Sequence, residues 1–409
     1  MKAPRKIKSP RVLVVGAGPA GAATAYYLAR GGARALLFDK SCFPRDKVCG
    51  DGVTLRATYS LQLMGLGPAV AQHAQSLAIS GARFYAPSGN DFACALPTGF
   101  FGNRYLTIER AALDRLLVDR ALEAGAELCA GQSVREVKID ADRAWLRLSD
   151  DREFTGDFVV GADGANSIVR RSMGLSDFGP RRSAIGYRGY FHDVTETEAP
   201  ELRFYFTKEL LPGYGWIFPL PGGRANVGIG YPQWRISKRG LTPARAFEHF
   251  LQVPAVRSAL AGARPDGRPR GHQLPLGDAV QRVVGDRTAL VGDAAGFIHP
   301  VTGDGIDYAL ESGKFAAEEI LKAVTTFGCT PQGAAALDGS GLAAYSEACA
   351  ARFTNNFRKL GRQRDFLMHP AFVEKFVRYG RRAPGPAADL LTGWRKSFDW
   401  LDLFRALAA

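Results

Sequence analysis

The stretch "RVLVVGAGPAGAATAYYLARGGARALLFDK", Arg11 to Lys40, decides the fold. Val12 to Val15 form an apolar run that enters a glycine turn. Small and aliphatic residues then carry a helix to about Arg30, and Ala35 to Phe38 make a second apolar run that ends in Asp39. Strand, helix and strand in that order are a βαβ unit of a parallel sheet. Gly16, Gly18 and Gly21 stand at G-x-G-x-x-G spacing. Gly16 allows the tight turn, Gly18 lets backbone approach a pyrophosphate, and Gly21 lets the helix lie against the strand. The helix N-terminus then faces a diphosphate, and Asp39 can accept hydrogen bonds from a ribose diol. Ala20 inside the fingerprint and Lys40 beside the acid complete the expected dinucleotide contacts. A lone G-x-G-x-x-G is a weak signal; with strand, helix and acid in place it is specific.

The chain around this unit has 409 residues, enough for two or three domains. Hydrophobic residues make up 46% and charged residues 23%, as in globular proteins that fold in water. A net charge of +13 suits anionic cofactors, diphosphates or an anionic membrane surface. The basic residues are scattered except in "MKAPRKIKSPR", "GRPRGH" and "RYGRR", and no nucleic-acid motif accompanies them, so nucleic acid is not an expected partner. The 6 cysteines include no C-x-x-C pair and no histidine at zinc-finger spacing, so neither a disulfide framework nor a metal site is expected. No signal-type or membrane-spanning run is visible, and the expected location is the cytoplasm or the surface of a membrane.

Further along, "ARFYAPSGNDFACAL" reads as a hairpin about a "PSGN" turn, and "LTIERAALDRLLVDRALEAGAEL" as a helix leading into a strand. A β-rich region runs from about Ser183 to Tyr231. Strand, loop and helix recur at Phe158 and Thr288, bracketing two β-rich insertions. The expected fold is α/β. A discontinuous Rossmann-like domain covers 1–75, 105–180 and 280–340, a mostly antiparallel sheet domain covers 76–104 and 181–279, and a helical segment covers 341–409.

Two later loops choose between NAD and FAD. In "GADGANS", Asp163 and Gly164 form a turn at a strand end, where a carboxylate can meet ribose or nicotinamide groups. In "GDAAGFIHPVTGDGID", Gly292 precedes Asp293, which is placed to bond a ribityl hydroxyl. The helix that follows can aim its N-terminus at an isoalloxazine ring. Arg110, on one helical face with Asp114, can neutralise a diphosphate or hold the ribityl chain.

From about Arg11 to Glu319 the set resembles the FAD-dependent enzymes that include para-hydroxybenzoate hydroxylase, the flavin halogenases and the geranylgeranyl reductases. Three segments, "FPRDKVCGDGV", "LPGYGWIFPLPGGRANVGIG" and "GDAAGFIHPVTGDGIDYALESG", resemble the geranylgeranyl reductase family, most closely its bacterial members that saturate a double bond in the menaquinone tail. The resemblance implies a flavin-side loop of Lys47, Cys49, Gly50, Asp51 and Gly52. It adds flavin contacts from Pro300, Gly303, Gly305 and Ile306, and a substrate channel lined by Tyr214, Trp216 and Phe218 before Pro219. It further implies tightly bound FAD, with NAD(P)H or a ferredoxin as transient electron donor. The implied reaction passes hydride from reduced flavin to one carbon of an isoprenoid C=C and a proton to the other, with Cys49, Tyr214 and Trp216 as catalytic residues.

The residues themselves leave alternatives open. Tyr214, Trp216 and Phe218 also fit an alternating strand face in a core. Cys49 lacks the partners of a metal ligand or a nucleophile; it reads either as a proton donor, its thiol pKa lowered by Lys47, or as a small residue filling a gap. His299 reads either as a hydrogen-bond partner of the isoalloxazine or as a residue that shapes its loop, the second being preferred. An FAD-dependent monooxygenase shares these cofactor motifs, and a halogenase would carry W-x-W-x-I-P where this chain has only Trp216 and Phe218 before Pro219. At the C-terminus, Trp394, Phe398, Leu401 and Phe404 fall near helical spacing among basic residues, as in a lipid-facing or terminal packing helix.

Overall fold

A computed structural model describes residues 9–99, 102–140, 143–195, 200–238, 240–280, 282–327 and 339–392. The expected C-terminal amphipathic helix about Trp394 to Phe404 lies outside the described residues. The chain forms two compact units, each discontinuous in sequence. The first comprises Met1–Arg45, Leu113–Phe178 and Pro275–Lys359, and the second Asp46–Ala112, Gly179–Leu274 and Leu360–Ala409.

The first unit is built on a six-stranded sheet. Its strands lie in the order Val284–Gly285, Thr288–Leu290, Phe158–Gly161, Arg11–Val15, Arg34–Asp39 and Glu127–Ala130. All neighbours are parallel except the Val284–Gly285 edge. A parallel sheet is covered on both faces, which is why Val12, Leu13, Val14, Phe158, Val159 and Val160 are all fully buried. On one face the helices Pro19–Arg30 and Ile306–Phe327 pack together at Gly313, where a Cβ would fall 2.5 Å from the Ala20 carbonyl oxygen. On the other lies an antiparallel sheet of Val134–Ile139, Ala144–Leu148 and Glu153–Gly156; the Phe38 and Phe154 rings meet edge to face at 4.9 Å.

The second unit centres on a seven-stranded sheet in the order Arg264–Pro275, Ser183–His192, Arg224–Pro232, Tyr214–Leu220, Glu201–Tyr205, Gly81–Tyr85 and Asp91–Ala95. Pairings are antiparallel apart from Glu201–Tyr205 with Gly81–Tyr85. Strict alternation divides its faces. Phe191, Tyr205, Ile217, Val227, Ile229 and Tyr231 form a core, with Phe247 and Phe250 of the helix Pro243–Leu251. The opposite face, here called inner, carries Arg188, Tyr190, Asn226, Trp216, Phe218, Phe204 and Phe84. The first part of "LTIERAALDRLLVDRALEAGAEL" departs from the expected helix. Tyr105–Ile108 is a strand paired with Ser76–Ile79, and the helix begins at Arg110. Cross-strand pairing of Leu106, Thr107 and Ile108 outweighs their place at the head of a helical pattern.

Candidate functional site

In the first unit the G-x-G-x-x-G segment forms a close-packed backbone cradle. Gly16 has φ of 99°, and a Cβ there would lie 2.3 Å from the Ala162 oxygen; at Gly21 it would lie 1.8 Å from the Gly16 oxygen. Only hydrogen fits at either place. Gly18 caps the helix Pro19–Arg30, whose first turn receives no side-chain cap. Its amino end therefore keeps backbone N–H groups suited to an anion. Asp39 is buried at the strand end. Its Oδ2 accepts from the Ala17 amide at 2.9 Å and its Oδ1 from the Ser41 amide at 2.9 Å. Arg45 bridges Asp39 at 3.4 Å and the fully buried Asp114 at 3.0 Å. Ala20 is buried and Lys40 exposed.

Asp163 accepts from the Ile168 amide through Oδ2 at 2.6 Å, while its buried Oδ1 has no partner. Desolvation raises its pKa, opposed by hydrogen bonds from Ser167 and the Ile168 amide. An orphaned buried carboxylate oxygen is costly and calls for a donor, as a ligand hydroxyl would be. Gly164 beside it has φ of 79° and open space where a Cβ would stand. Gly292, with φ of 54°, donates its amide to Ser312 Oγ at 3.1 Å and sits where a Cβ would be 2.9 Å from Ala20 Cβ. That contact joins the Asp293 turn to the start of the G-x-G-x-x-G helix. A Cβ on Gly305 would lie 3.6 Å from Asp293 Oδ1, Gly303 has φ of 76°, and Pro300 is buried, so these residues with Ile306 form one tight loop. His299 shapes it: Nδ1 accepts from the Thr302 amide at 3.1 Å. Glycine contacts and an unpaired acceptor together fit an FAD dinucleotide.

In the second unit the cysteine loop lies on the inner face of the seven-stranded sheet. A Cβ on Gly50 would stand 3.2 Å from the Phe218 ring and one on Gly52 3.6 Å from it. Asn226 Nδ2 donates to the Cys49 carbonyl and to Asp51 Oδ2, each at 2.7 Å, while its Oδ1 accepts from Trp216 Nε1 at 2.9 Å. Tyr190 donates its hydroxyl to Asp51 Oδ2 at 2.8 Å, and the Arg110 amide donates to Oδ1 at 3.3 Å. Asp51 is fully buried and holds φ of 62°, a left-handed conformation rare outside glycine. Burial pushes its pKa up to about 6 despite the hydrogen bonds from Asn226 and Tyr190. Burial and the adjacent Asp51 drive the Tyr190 phenol pKa upward, so Tyr190 stays a donor.

The expected lowering of the Cys49 pKa is corrected. Desolvation raises it, and the Arg110 guanidinium offsets that in part. The thiol is therefore protonated at neutral pH. Lys47 supplies its carbonyl to Arg188 at 3.4 Å. Trp216 and Phe218 are buried and Tyr214 is partly exposed. Their rings form a row, Tyr214 to Trp216 at 6.1 Å and Trp216 to Phe218 at 6.1 Å, continued by Phe204 at 5.2 Å from Phe218. Sequence reading missed Tyr190, Asn226, Arg188 and Arg45. The available signals were Arg188 and Tyr190 at alternate positions of "IGYRGYF" and a lone Asn226 on the glycine face of "ANVGIG".

Residues 10–356 match the FAD-binding domain family. The chain is 34% identical over 325 residues to the menaquinone reductase of Mycobacterium tuberculosis, covering 76% of each. The chain belongs to the geranylgeranyl reductase-like family of FAD-dependent oxidoreductases. Digeranylgeranylglycerophospholipid reductase 2 of Methanopyrus kandleri is 30% identical over 322 residues, 76% of this chain and 77% of that one. A solved structure, a geranylgeranyl bacteriochlorophyll reductase-like protein of Thermoplasma acidophilum, superposes with a TM-score of 0.77 at 21% identity. It covers 98% of this chain and 96% of its own. At that identity it shows the fold this oxidoreductase family shares: an FAD-binding α/β unit, antiparallel sheets and C-terminal helices.

Proposed function

We propose that this oxidoreductase saturates carbon–carbon double bonds of an isoprenoid chain, geranylgeranyl or longer. The observation that carries the reading is the seat of the cysteine loop on the aromatic row, with Gly50 and Gly52 against Phe218. Relatives named as menaquinone and digeranylgeranylglycerophospholipid reductases, at 34% and 30% identity, support it.

FAD, when bound and reduced, supplies the hydride. Gly16, Gly18, Ala20 and Gly21 hold its pyrophosphate, Asp39 and Lys40 its adenosine end, and Asp163, Gly164, Gly292 and Asp293 its polyol chain. In the first unit Pro300, Gly303, Gly305 and Ile306 would contact the flavin, and in the second unit Lys47, Gly50, Asp51, Gly52 and the Arg110 side chain are the residues that would contact it. Tyr214, Trp216 and Phe218 hold the prenyl chain and exclude water, since an isolated alkene accepts hydride poorly and depends on alignment. Cys49, protonated at neutral pH, would give a proton from Sγ to the carbon that does not receive hydride, and the thiolate left behind would be reprotonated from solvent. Asp51, held by Tyr190 and Asn226, keeps a proton near the loop up to pH about 6. A nicotinamide or a ferredoxin reloads the flavin transiently, and the lipophilic substrate is reached at a membrane surface.

The test is to reduce the purified protein anaerobically, add a polyprenyl substrate and follow flavin absorbance together with the mass of the lipid. Flavin reoxidation without oxygen and a gain of H2 per bond are expected. Reoxidation only by O2 with an aromatic substrate makes the protein a monooxygenase instead. Cys49→Ser should keep its flavin and lose about a hundredfold in turnover, the usual weight of a positioned proton donor; unchanged turnover leaves Cys49 as a spacer.

A further inference from the structure

The end of the helix Asn355–Leu367 and the helix Pro370–Arg382 form a hairpin whose two faces differ in chemistry. Inward, Val373 and Val377 are buried, and Phe376 meets the Phe92 ring at 5.5 Å and Phe84 at 6.3 Å. Gly380 fits only because it lacks a Cβ, which would lie 2.6 Å from the Phe92 ring. Phe84 stacks on Phe204 at 5.1 Å, and Phe204 reaches Tyr214 at 5.6 Å. The helix therefore covers Phe84 and Phe92, and Phe84 adjoins the aromatic row that carries Trp216 through Phe204.

Outward, Lys375, Arg378 and Arg382 are all exposed and stand one helical turn apart along a single stripe. None of the three forms an ion pair among the described residues. The helix has one carboxylate, Glu374, which is turned aside and accepts from Ser88 N and Oγ, both at 2.7 Å. At the hairpin tip Phe366 is 52% exposed and its ring lies 5.3 Å from Phe372. Among the described residues the exposed large apolar side chains are Phe366 and Leu63.

We propose that this hairpin face docks on an anionic lipid bilayer, with Phe366 and Phe372 entering the interface and Lys375, Arg378 and Arg382 meeting the headgroups. Each part has a physical reason. An amphipathic helix with a basic polar face and aromatic residues at its edge lies in the plane of a membrane interface. Juxtamembrane basic residues are attracted by anionic headgroups, an interaction that falls off within a Debye length. The proposal rests on the isoprenoid reading for its purpose, since docking would bring lipid-dissolved chains to the helix that covers Phe84 beside the aromatic row. Its physics needs no substrate.

The experiment is sedimentation of the full holoenzyme with vesicles of phosphatidylcholine, alone or with phosphatidylglycerol, in low and high salt and without substrate. Binding to the anionic vesicles only, released by salt, is expected. The triple variant K375E/R378E/R382E should bind them about a hundredfold more weakly, three residues each contributing roughly fivefold. Phe366→Ser should weaken binding at constant salt sensitivity. The triple variant should keep its flavin and its turnover of detergent-dispersed substrate, which separates failure of docking from failure of the reductase reading. Equal binding to both vesicle types overturns the proposal, and so does unchanged binding by the charge-reversed protein. If the triple variant does not fold, the wild-type comparison of the two vesicle types and two salt levels decides alone. A wild-type dimer that the Phe366 substitution dissociates, with no vesicle binding, assigns the face to a second copy instead.

Discussion

In the Arg11–Lys40 cradle, the atoms suited to a ligand are backbone groups and one carboxylate within a single βαβ unit, Asp39 meeting the Ala17 amide across 22 positions. On the inner face of the seven-stranded sheet they are side chains that meet across 139 and 175 positions, Tyr190 and Asn226 on Asp51. The first is specified by what glycine lacks, a Cβ that would fall 1.8 Å from a carbonyl oxygen at Gly21. The second is specified by strand register, which sets Tyr190 opposite Asn226 and Asn226 opposite Phe218. A local device is intolerant of any single substitution, whereas a register-built network degrades by one hydrogen bond at a time. The two regions should therefore fail differently.

The largest effect is expected in the cradle. Gly21→Val places two methyl groups where the Gly16 carbonyl stands, so the helix Pro19–Arg30 must move off the strand, and bound flavin should be lost altogether. The absorbance ratio of the purified variant measures it; a yellow variant at wild-type stoichiometry would show that the cradle is packing alone. Across the sheet, Asn226→Leu removes donors from Asp51 and the Cys49 carbonyl and the acceptor of Trp216 together. Stranding those buried groups should cost about 4 kcal/mol of stability by urea unfolding. Flavin content in the folded fraction should change less than in Gly21→Val.

The pH dependence comes next in size. The folded pKa of Asp51, about 6, lies above its ordinary 3.8. Between these values the folded protein holds a proton that the unfolded chain has released. The stability contributed by this carboxyl is thus fully present below the lower value and is lost as pH rises through the upper one. The loss amounts to roughly 3 kcal/mol. Asp51→Asn keeps the shape and removes the titration, so its stability should fall less than wild type over that interval. Parallel pH curves for the two proteins would place the proton elsewhere.

The same contrast explains what could be read from sequence. Gly16, Gly18, Gly21 and Asp39 are legible because one turn and one helix start fix all four, and the period of the flanking runs gives strand and helix directly. The Asp163 and Asp293 turns are legible as repeats of strand, loop and helix. Tyr190 and Asn226 are not, because their significance depends on which strands pair and in what register, and that is decided by long-range packing. The thiol of Cys49 was misread for a related reason. Nearby Lys47 is obvious in sequence, but desolvation of the thiol outweighs the charges around it. The strand at Tyr105–Ile108 was hidden in the same way, by a helical pattern that a pairing partner at Ser76–Ile79 overrides.

The smallest effect separates core from channel within the aromatic row. Trp216 is buried, gives its Nε1 hydrogen to Asn226, and fills space that Gly228 leaves open, a Cβ there falling 2.3 Å from the indole. Trp216→Phe should therefore cost about 1 kcal/mol in stability for the lost bond and a little packing. Tyr214 is only partly buried and lies at the end of the row, so Tyr214→Ala should disturb stability less. If the row holds a prenyl chain, Tyr214→Ala should raise KM several-fold at nearly constant kcat, because it removes binding common to ground and transition states. Trp216→Phe should raise KM less, because a phenyl ring at that buried position keeps most of the apolar wall. A loss of stability in both variants with KM untouched in both would reduce the row to a core between strands, and leave the cysteine loop without a substrate wall.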